Sequence, residues 1–165
     1  MTFDGALARN GDLWCAGAAA VARGPRQTSG RRVVLAAWSV ALPDVDTASP
    51  AEAWGARLAI DLLLTVRQRV THHGPPAIGG DNGPIVRLCL GTGRTASPST
   101  NAIVADSLNR LASEGLMPRW IIIPRTCNDR AHNLARAAAR AAVQRHRAHT
   151  LTPHVWDTST EAQNL

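Results

Sequence analysis

The chain has no lysine and no tyrosine, and only one phenylalanine. All 18 basic residues are therefore arginine, set against 12 acidic ones, for a formal charge of +6. The scarcity of aromatic rings argues against a metal-free domain that reads RNA by stacking bases on a flat sheet. Five tryptophans would have to supply every platform. No apolar run approaches the roughly 18 residues that a membrane helix needs, and the first residues do not read as a signal peptide. Three cysteines, Cys15, Cys89 and Cys127, are odd in number, far apart and without metal-ligand spacing. They read as reduced core thiols of an intracellular protein, in the cytoplasm or nucleus.

What is present describes an ordinary globule. With 165 residues and 45% of them hydrophobic, the chain is long enough for one domain with a sizeable core. Arginine forks suit phosphate, so the basic balance points to a polyanionic partner.

The stretch Trp120 to Arg145 organises the rest. Trp120 to Ile123 run without interruption into Pro124, the pattern of a buried central strand stopped by a proline. Asn128 as a cap and Asp129 in the positively polarised first turn then open a helix. Its apolar stripe is Ala131, Leu134, Ala135, Ala138 and Ala142. Asp129 and His132 stand three residues apart, so both can reach one spot at the top of the strand.

Upstream, a short start around Asp4-Gly5, then Leu13 to Ala22, then Arg32 to Leu42 read as three strands joined by short turns. That is an antiparallel meander. Asp4-Gly5 on its own also suits a type I′ turn. Only three residues precede Asp4, few for a first strand, which suggests a chain cut from a longer polyprotein. A helix follows, with Ser49 as N-cap, Pro50 at the first helical position and Glu52 closing a capping box. Glu52 also heads a stripe of Ala56, Ala59, Leu63 and Val66, so it caps the helix, points at a site, or does both. Asp61 falls on the opposite face, as a solvated charge. His72 and His73 are adjacent, a poor chelate, and read as loop histidines.

Pro76 to Val86 reads as a fourth strand and its exit, with Asp81-Asn82 either at the strand end or in a tight turn, and Pro84 to Leu90 as a short helix. Gly91 to Thr100 is a loop whose GxG lacks a nucleotide-binding context. Ser99 or Thr100 caps a helix that turns Ile103, Val104, Leu108 and Leu111 inward and ends at Gly115. Residues 1–147 form one domain and 148–165 a flexible tail.

NDRAHNLARAAAR, from Asn128, resembles the closing helix of ribonuclease H domains: Asn, two residues, a small residue, Asp, any residue, Leu, Ala. Asn128, Ala131, Leu134 and Ala135 fall in place, and His132 stands where the family's last metal-binding Asp usually stands. The first long helix is similar as well, through Glu52, Ala56, Ala59, Ile60 and Asp61. So are the Asp-Gly pair of the first strand and the Asp81-Asn82 pair after the fourth.

The resemblance implies an α/β fold with a five-stranded mixed sheet, three antiparallel strands and then two parallel, flanked by helices. It implies hydrolysis of the RNA strand of RNA–DNA hybrids with two Mg²⁺ or Mn²⁺ ions. Asp4, Glu52, Asp81 and His132 would be the catalytic and metal-binding set, with Asp129 as a further ligand. Three carboxylates packed together repel unless a cation sits among them, and hard oxygen donors select Mg²⁺ or Mn²⁺. Asn82, Arg94, Arg125 and Asn128 are the candidate contacts to nucleic acid.

His132 in the last helix and the Asp-Asn pair resemble domains fused to retroelement reverse transcriptases, so the rest of such a polyprotein is the expected partner. The family's mobile histidine before the last helix has no counterpart in PRTCND, and no basic helical protrusion lies between Leu90 and Thr100. A non-catalytic module of the same fold, binding nucleic acid or protein within a larger assembly, is the alternative. An integrase or resolvase core is a third reading, weakened because such cores place an acid where this chain has His132.

Overall fold

The computed structural model describes residues 1–26, 32–67 and 75–151. His72, His73 and most of the expected tail lie outside these residues. Strands β1 (Thr2–Asn10), β2 (Leu13–Arg26) and β3 (Arg32–Leu42) form the expected antiparallel meander. Helix α1 (Ala48–Val66) follows, then β4 (Ala77–Gly80), α2 (Gly83–Cys89), α3 (Pro98–Ser113), β5 (Arg119–Ile122), one 3-10 turn (Arg125–Cys127) and α4 (Asp129–Leu151). The sheet runs β3-β2-β1-β4-β5, with β4 parallel to β1 and β5 parallel to β4. The five-stranded mixed sheet is therefore as the sequence leads one to expect.

Alternation along β1 sorts its side chains between two layers. Phe3 joins the large core shared with α1 and α3, among Ile60, Leu62, Ile78, Ile85 and Trp120. Each fully buried side chain of this size contributes roughly 1.5–3 kcal/mol. Asp4 and Ala6 point the other way, toward α4, which packs on β1, β2 and β3 through Ala131, Ala135, Ala138, Ala139 and Ala142. That packing brings backbones into direct contact: a Cβ added at Gly17 would fall on the backbone of Ala139 and Ala135. At the α1 layer, Gly5 meets Ala51 and Glu52 in the same way, which draws the start of α1 down onto β1.

Several local expectations change. Asp4-Gly5 lies inside β1, and the hairpin turns instead at Gly11, whose φ is +60°. β5 is an edge strand and not a buried central one: only Trp120 is buried, while Ile121 and Ile122 are exposed. Among the described residues, helix α4 packs on β1 to β3 and not on β5. Four apolar residues in a row do not say which strand stands at the edge.

Helix α1 starts two residues earlier than Pro50 would set it, after Thr47, and no side chain caps it. Glu52 is thereby removed from the capping position and freed for other contacts. Ser97, not Ser99 or Thr100, caps α3 by accepting from the Thr100 amide, with Pro98 in its first turn. The fourth strand is short, four residues, because Asp81 turns away and Asn82 caps α2. Asp61 is half-buried and paired with Arg110 of α3. Cys15 and Cys89 are buried as expected, but Cys127 is exposed in the 3-10 turn. Helix α4 continues to Leu151, four residues into the stretch read as tail. Among the described residues, no helix is long and apolar enough to cross a membrane.

Candidate active site

The site lies where β4 leaves β1. Their parallel pairing stops at Phe3 and Gly80, so the backbone groups of Phe3 and Gly5 that face β4 lose their strand partner. Buried backbone groups must be paired, and two side chains take over. Asn128 donates from Nδ2 to the Phe3 carbonyl at 2.7 Å. The Gly5 amide donates to Glu52 Oε2 at 3.2 Å. The same break in the ladder therefore recruits the start of α1 and the residue ahead of α4 to the first half of β1.

Asp4 is almost completely buried, and His132 Nδ1 donates to its Oδ2 at 2.6 Å. Its other oxygen, Oδ1, is buried with no hydrogen-bond partner. Asp81 accepts from Asn128 Nδ2 at 2.6 Å, and Arg125 lies 3.4 Å from its second oxygen. Arg125 also approaches the His132 ring, 2.9 Å from Nε2. Asn82 caps α2 by accepting from the Ile85 amide at 3.2 Å, and its side chain favours the ionised form of Glu52.

These acids strain against one another. Burial first, and then the charges of Asp4 and Asp81, push Glu52 up to about 8, against the Gly5 hydrogen bond and the Asn82 side chain. Burial likewise raises Asp4; the His132 hydrogen bond opposes the rise and the charge of Asp81 adds to it. A cluster of carboxylates that resists ionising is what a missing positive charge would relieve. The donor set fits a hard divalent cation, since its ligating atoms are mainly carboxylate oxygens and Asp4 Oδ1 is a buried acceptor left free. Among the described residues, no three such side chains close tightly enough to enclose an ion as they stand. His132, Asn128 and Arg125 hold the acids in hydrogen bonds and an ion pair instead.

Asp4, Glu52, Asp81, Asn82, Arg125, Asn128 and His132 are thus brought to one place. Asp129 is not: it is exposed in the first turn of α4, and among the described residues it makes no hydrogen bond or ion pair to the other acids. Arg94 is exposed in the loop after α2, away from the cluster's contacts. Residues 90–97 form no helix, so no helical protrusion stands there. The strap that Asn128 makes between Phe3 and Asp81 spans 125 residues, and no local pattern announces it.

A five-stranded sheet of this order, carrying acids in the first half of β1, the start of α1 and the exit of β4, is the ribonuclease H fold. The N-terminal RNase H domain of Rv2228c from Mycobacterium tuberculosis superposes with a TM-score of 0.65 at 22% identity, covering 88% of this chain and 96% of that one. LC11-RNase H1 in complex with an RNA/DNA hybrid gives 0.64 at 20%, covering 86% and 96%. RNase H1 of the halophilic archaeon Halobacterium salinarum gives 0.60 at 21%, covering 85% and 96%. No protein-family model matches the chain, and no curated protein sequence matches it. At such identities the likeness is one of fold.

Proposed function

We propose that the protein is a metal-dependent ribonuclease that hydrolyses the RNA strand of RNA–DNA hybrids. The observation that carries the reading is the convergence of Asp4, Glu52, Asp81 and His132 where β4 leaves β1 on a ribonuclease H fold. A neighbour of that fold is a complex with an RNA/DNA hybrid.

Two Mg²⁺ or Mn²⁺ ions would be held by Asp4, Glu52, Asp81 and His132, with Asp129 in reach only if its side chain swings inward. When bound, such ions supply an activated water and stabilise the leaving oxygen of an in-line phosphoryl displacement. The chain's own residues set the stage. Asp4 presents its free Oδ1 from the rigid centre of the sheet. Asn128 fixes the direction of Asp81. Arg125, exposed beside both Asp81 and His132, offers its fork to a phosphate entering from solvent. His132 brings a neutral, softer donor than a carboxylate, which favours Mn²⁺ over Mg²⁺. The reading places the domain inside the cell as part of a retroelement reverse transcriptase, a setting supported by the resemblance carried by His132 in the closing helix and the Asp81-Asn82 pair.

The test is a panel of labelled duplexes, RNA–DNA, RNA–RNA and DNA–DNA, offered with Mg²⁺ and then Mn²⁺. The reading expects cutting of the hybrid's RNA strand alone, at least as fast with Mn²⁺. One observation favours a second reading: without an ion, His132 already engages one oxygen of Asp4, and Asn128 and Arg125 engage both oxygens of Asp81. A non-catalytic module would bind the hybrid, cut nothing with either metal, and keep its binding in Asp4→Asn and Asp81→Asn.

A further inference from the structure

We propose that the flank of α4 carrying Arg136 and Arg140 is a phosphate-tracking surface, which seats the backbone of a nucleic-acid duplex beyond the catalytic end of the helix. The proposal rests on the hybrid reading above and adds residues outside the site. It begins from how arginine is distributed. Between α1 and α3, arginine is neutralised: Arg57 pairs with Asp106, Arg67 with Glu114 and Arg110 with Asp61. On α4, Asp129 is the only acid among the described residues of the helix, while Arg130, Arg136, Arg140 and Arg145 are all exposed. Among the described residues, none of these four has an ion-pair partner.

Their placement gives the charge a direction. At 3.6 residues per turn, Arg136 and Arg140 follow His132 at i+4 and i+8, on one flank of the helix, roughly 6 and 12 Å along its axis. Arg140 Nε donates to the Arg136 backbone carbonyl, which lays the Arg140 side chain back along the same flank of the helix. The small residues of α4 that touch Gly17 sink the helix into the sheet, and Ala137 between the two arginines screens neither. A duplex held at Asp4 thus meets two unneutralised guanidinium forks as it runs along α4. An anionic membrane is the weaker match, because the helix spends its apolar stripe on the sheet. Among the described residues, its exposed positions carry Asp, Asn, Arg, Ala and Gln and no large apolar side chain to enter a bilayer.

The experiment measures binding of a labelled RNA–DNA hybrid of about 20 base pairs across a salt series, with a chelator present to prevent cleavage. The full chain is compared with Arg136→Gln/Arg140→Gln, with Arg136→Lys/Arg140→Lys, and with Arg57→Gln as a paired-arginine control. Each phosphate contact contributes about 0.9 to the slope of log affinity against log salt. The glutamine pair is expected to lower that slope by about 2 and weaken binding by about tenfold or more at ~0.1 M salt. The lysine pair, which keeps the charge, and Arg57→Gln should retain the wild-type slope. A glutamine pair that melts like the wild type and keeps its slope overturns this inference and leaves the hybrid reading standing. A wild-type chain that binds no hybrid overturns both.

Discussion

The two faces of the sheet solve different problems. Toward α1 and α3 the sheet presents Phe3, Ile78 and Trp120 to Ile60, Leu62, Ile85 and Leu111, and pairs its surface charges across the layer. Toward α4 it presents Ala6, Ala19 and Gly17 to a helix of alanines, and leaves an acid buried and arginines unpaired. The first face holds the fold together. The second gives up bulk so that α4 lies close enough for Asn128 and His132 to reach Phe3 and Asp4. Apart from Glu52, which reaches the site from the start of α1, stability and chemistry are thus separated by the thickness of one sheet, and mutations on either side should report different properties.

The largest separation is expected at Asp4. Asp4→Asn should cut cleavage of the hybrid by about 10³-fold or more, equivalent to about 4 kcal/mol. The same change should leave the melting temperature equal or higher, because it removes a buried charge with an unpartnered oxygen. Single-turnover cleavage and thermal melting on one preparation check both halves. A drop in melting temperature would mean that the buried acid helps hold the fold.

The next contrast sets the faces against each other. Gly17→Val must push α4 off the sheet, at a cost of about 3 kcal/mol or more in chemical denaturation. Ile60→Val trims the opposite core and should cost only about 1 kcal/mol, with cleavage per folded molecule unchanged. Equal losses would mean that α4 can shift without strain.

The pH dependence sharpens the electrostatic side. Folded Glu52 keeps its proton up to about 8, whereas the unfolded chain releases it near the ordinary value of 4.5. Between those values the folded state binds more protons, so stability falls as pH rises and levels off above about 8. The decline from this group is at most about 1.4 kcal/mol per pH unit, and the raised Asp4 acts in the same direction. Melting in chelator at pH 5, 6.5 and 8 should show the decline, Glu52→Gln should flatten it, and millimolar Mn²⁺ should restore most stability at pH 8. The smallest effect belongs to the paired face. Arg110→Gln breaks an exposed ion pair with Asp61 and should change stability by no more than about 1 kcal/mol.

Much of this was legible before any coordinates. The meander of β1 to β3 showed in its β-branched and small residues, and the stripes of α1 and α4 in their spacing. The acids at Asp4, Glu52 and Asp81 were visible through their resemblance to a family whose fold the chain shares. Other features were beyond the sequence for physical reasons. Whether Trp120 to Ile123 is central or at an edge depends on which strands α4 crosses, a tertiary fact. Helix α1 starts after Thr47, which makes no side-chain cap bond, so the cap propensity of Ser49 does not mark its start. Asn128 looked like a helix cap because Asn favours that role. Its side chain instead serves two groups on distant strands, and only the ending of β4 beside Phe3 makes that bond necessary.

The most direct measurement is single-turnover cleavage of a hybrid labelled on its RNA strand, with Mg²⁺ and with Mn²⁺, comparing the wild type with Asp81→Asn. The account predicts metal-dependent cutting of the RNA strand by the wild type and its loss in the variant, with both proteins folded and binding the hybrid equally. A folded wild type that binds the hybrid and cuts with neither metal would contradict the account.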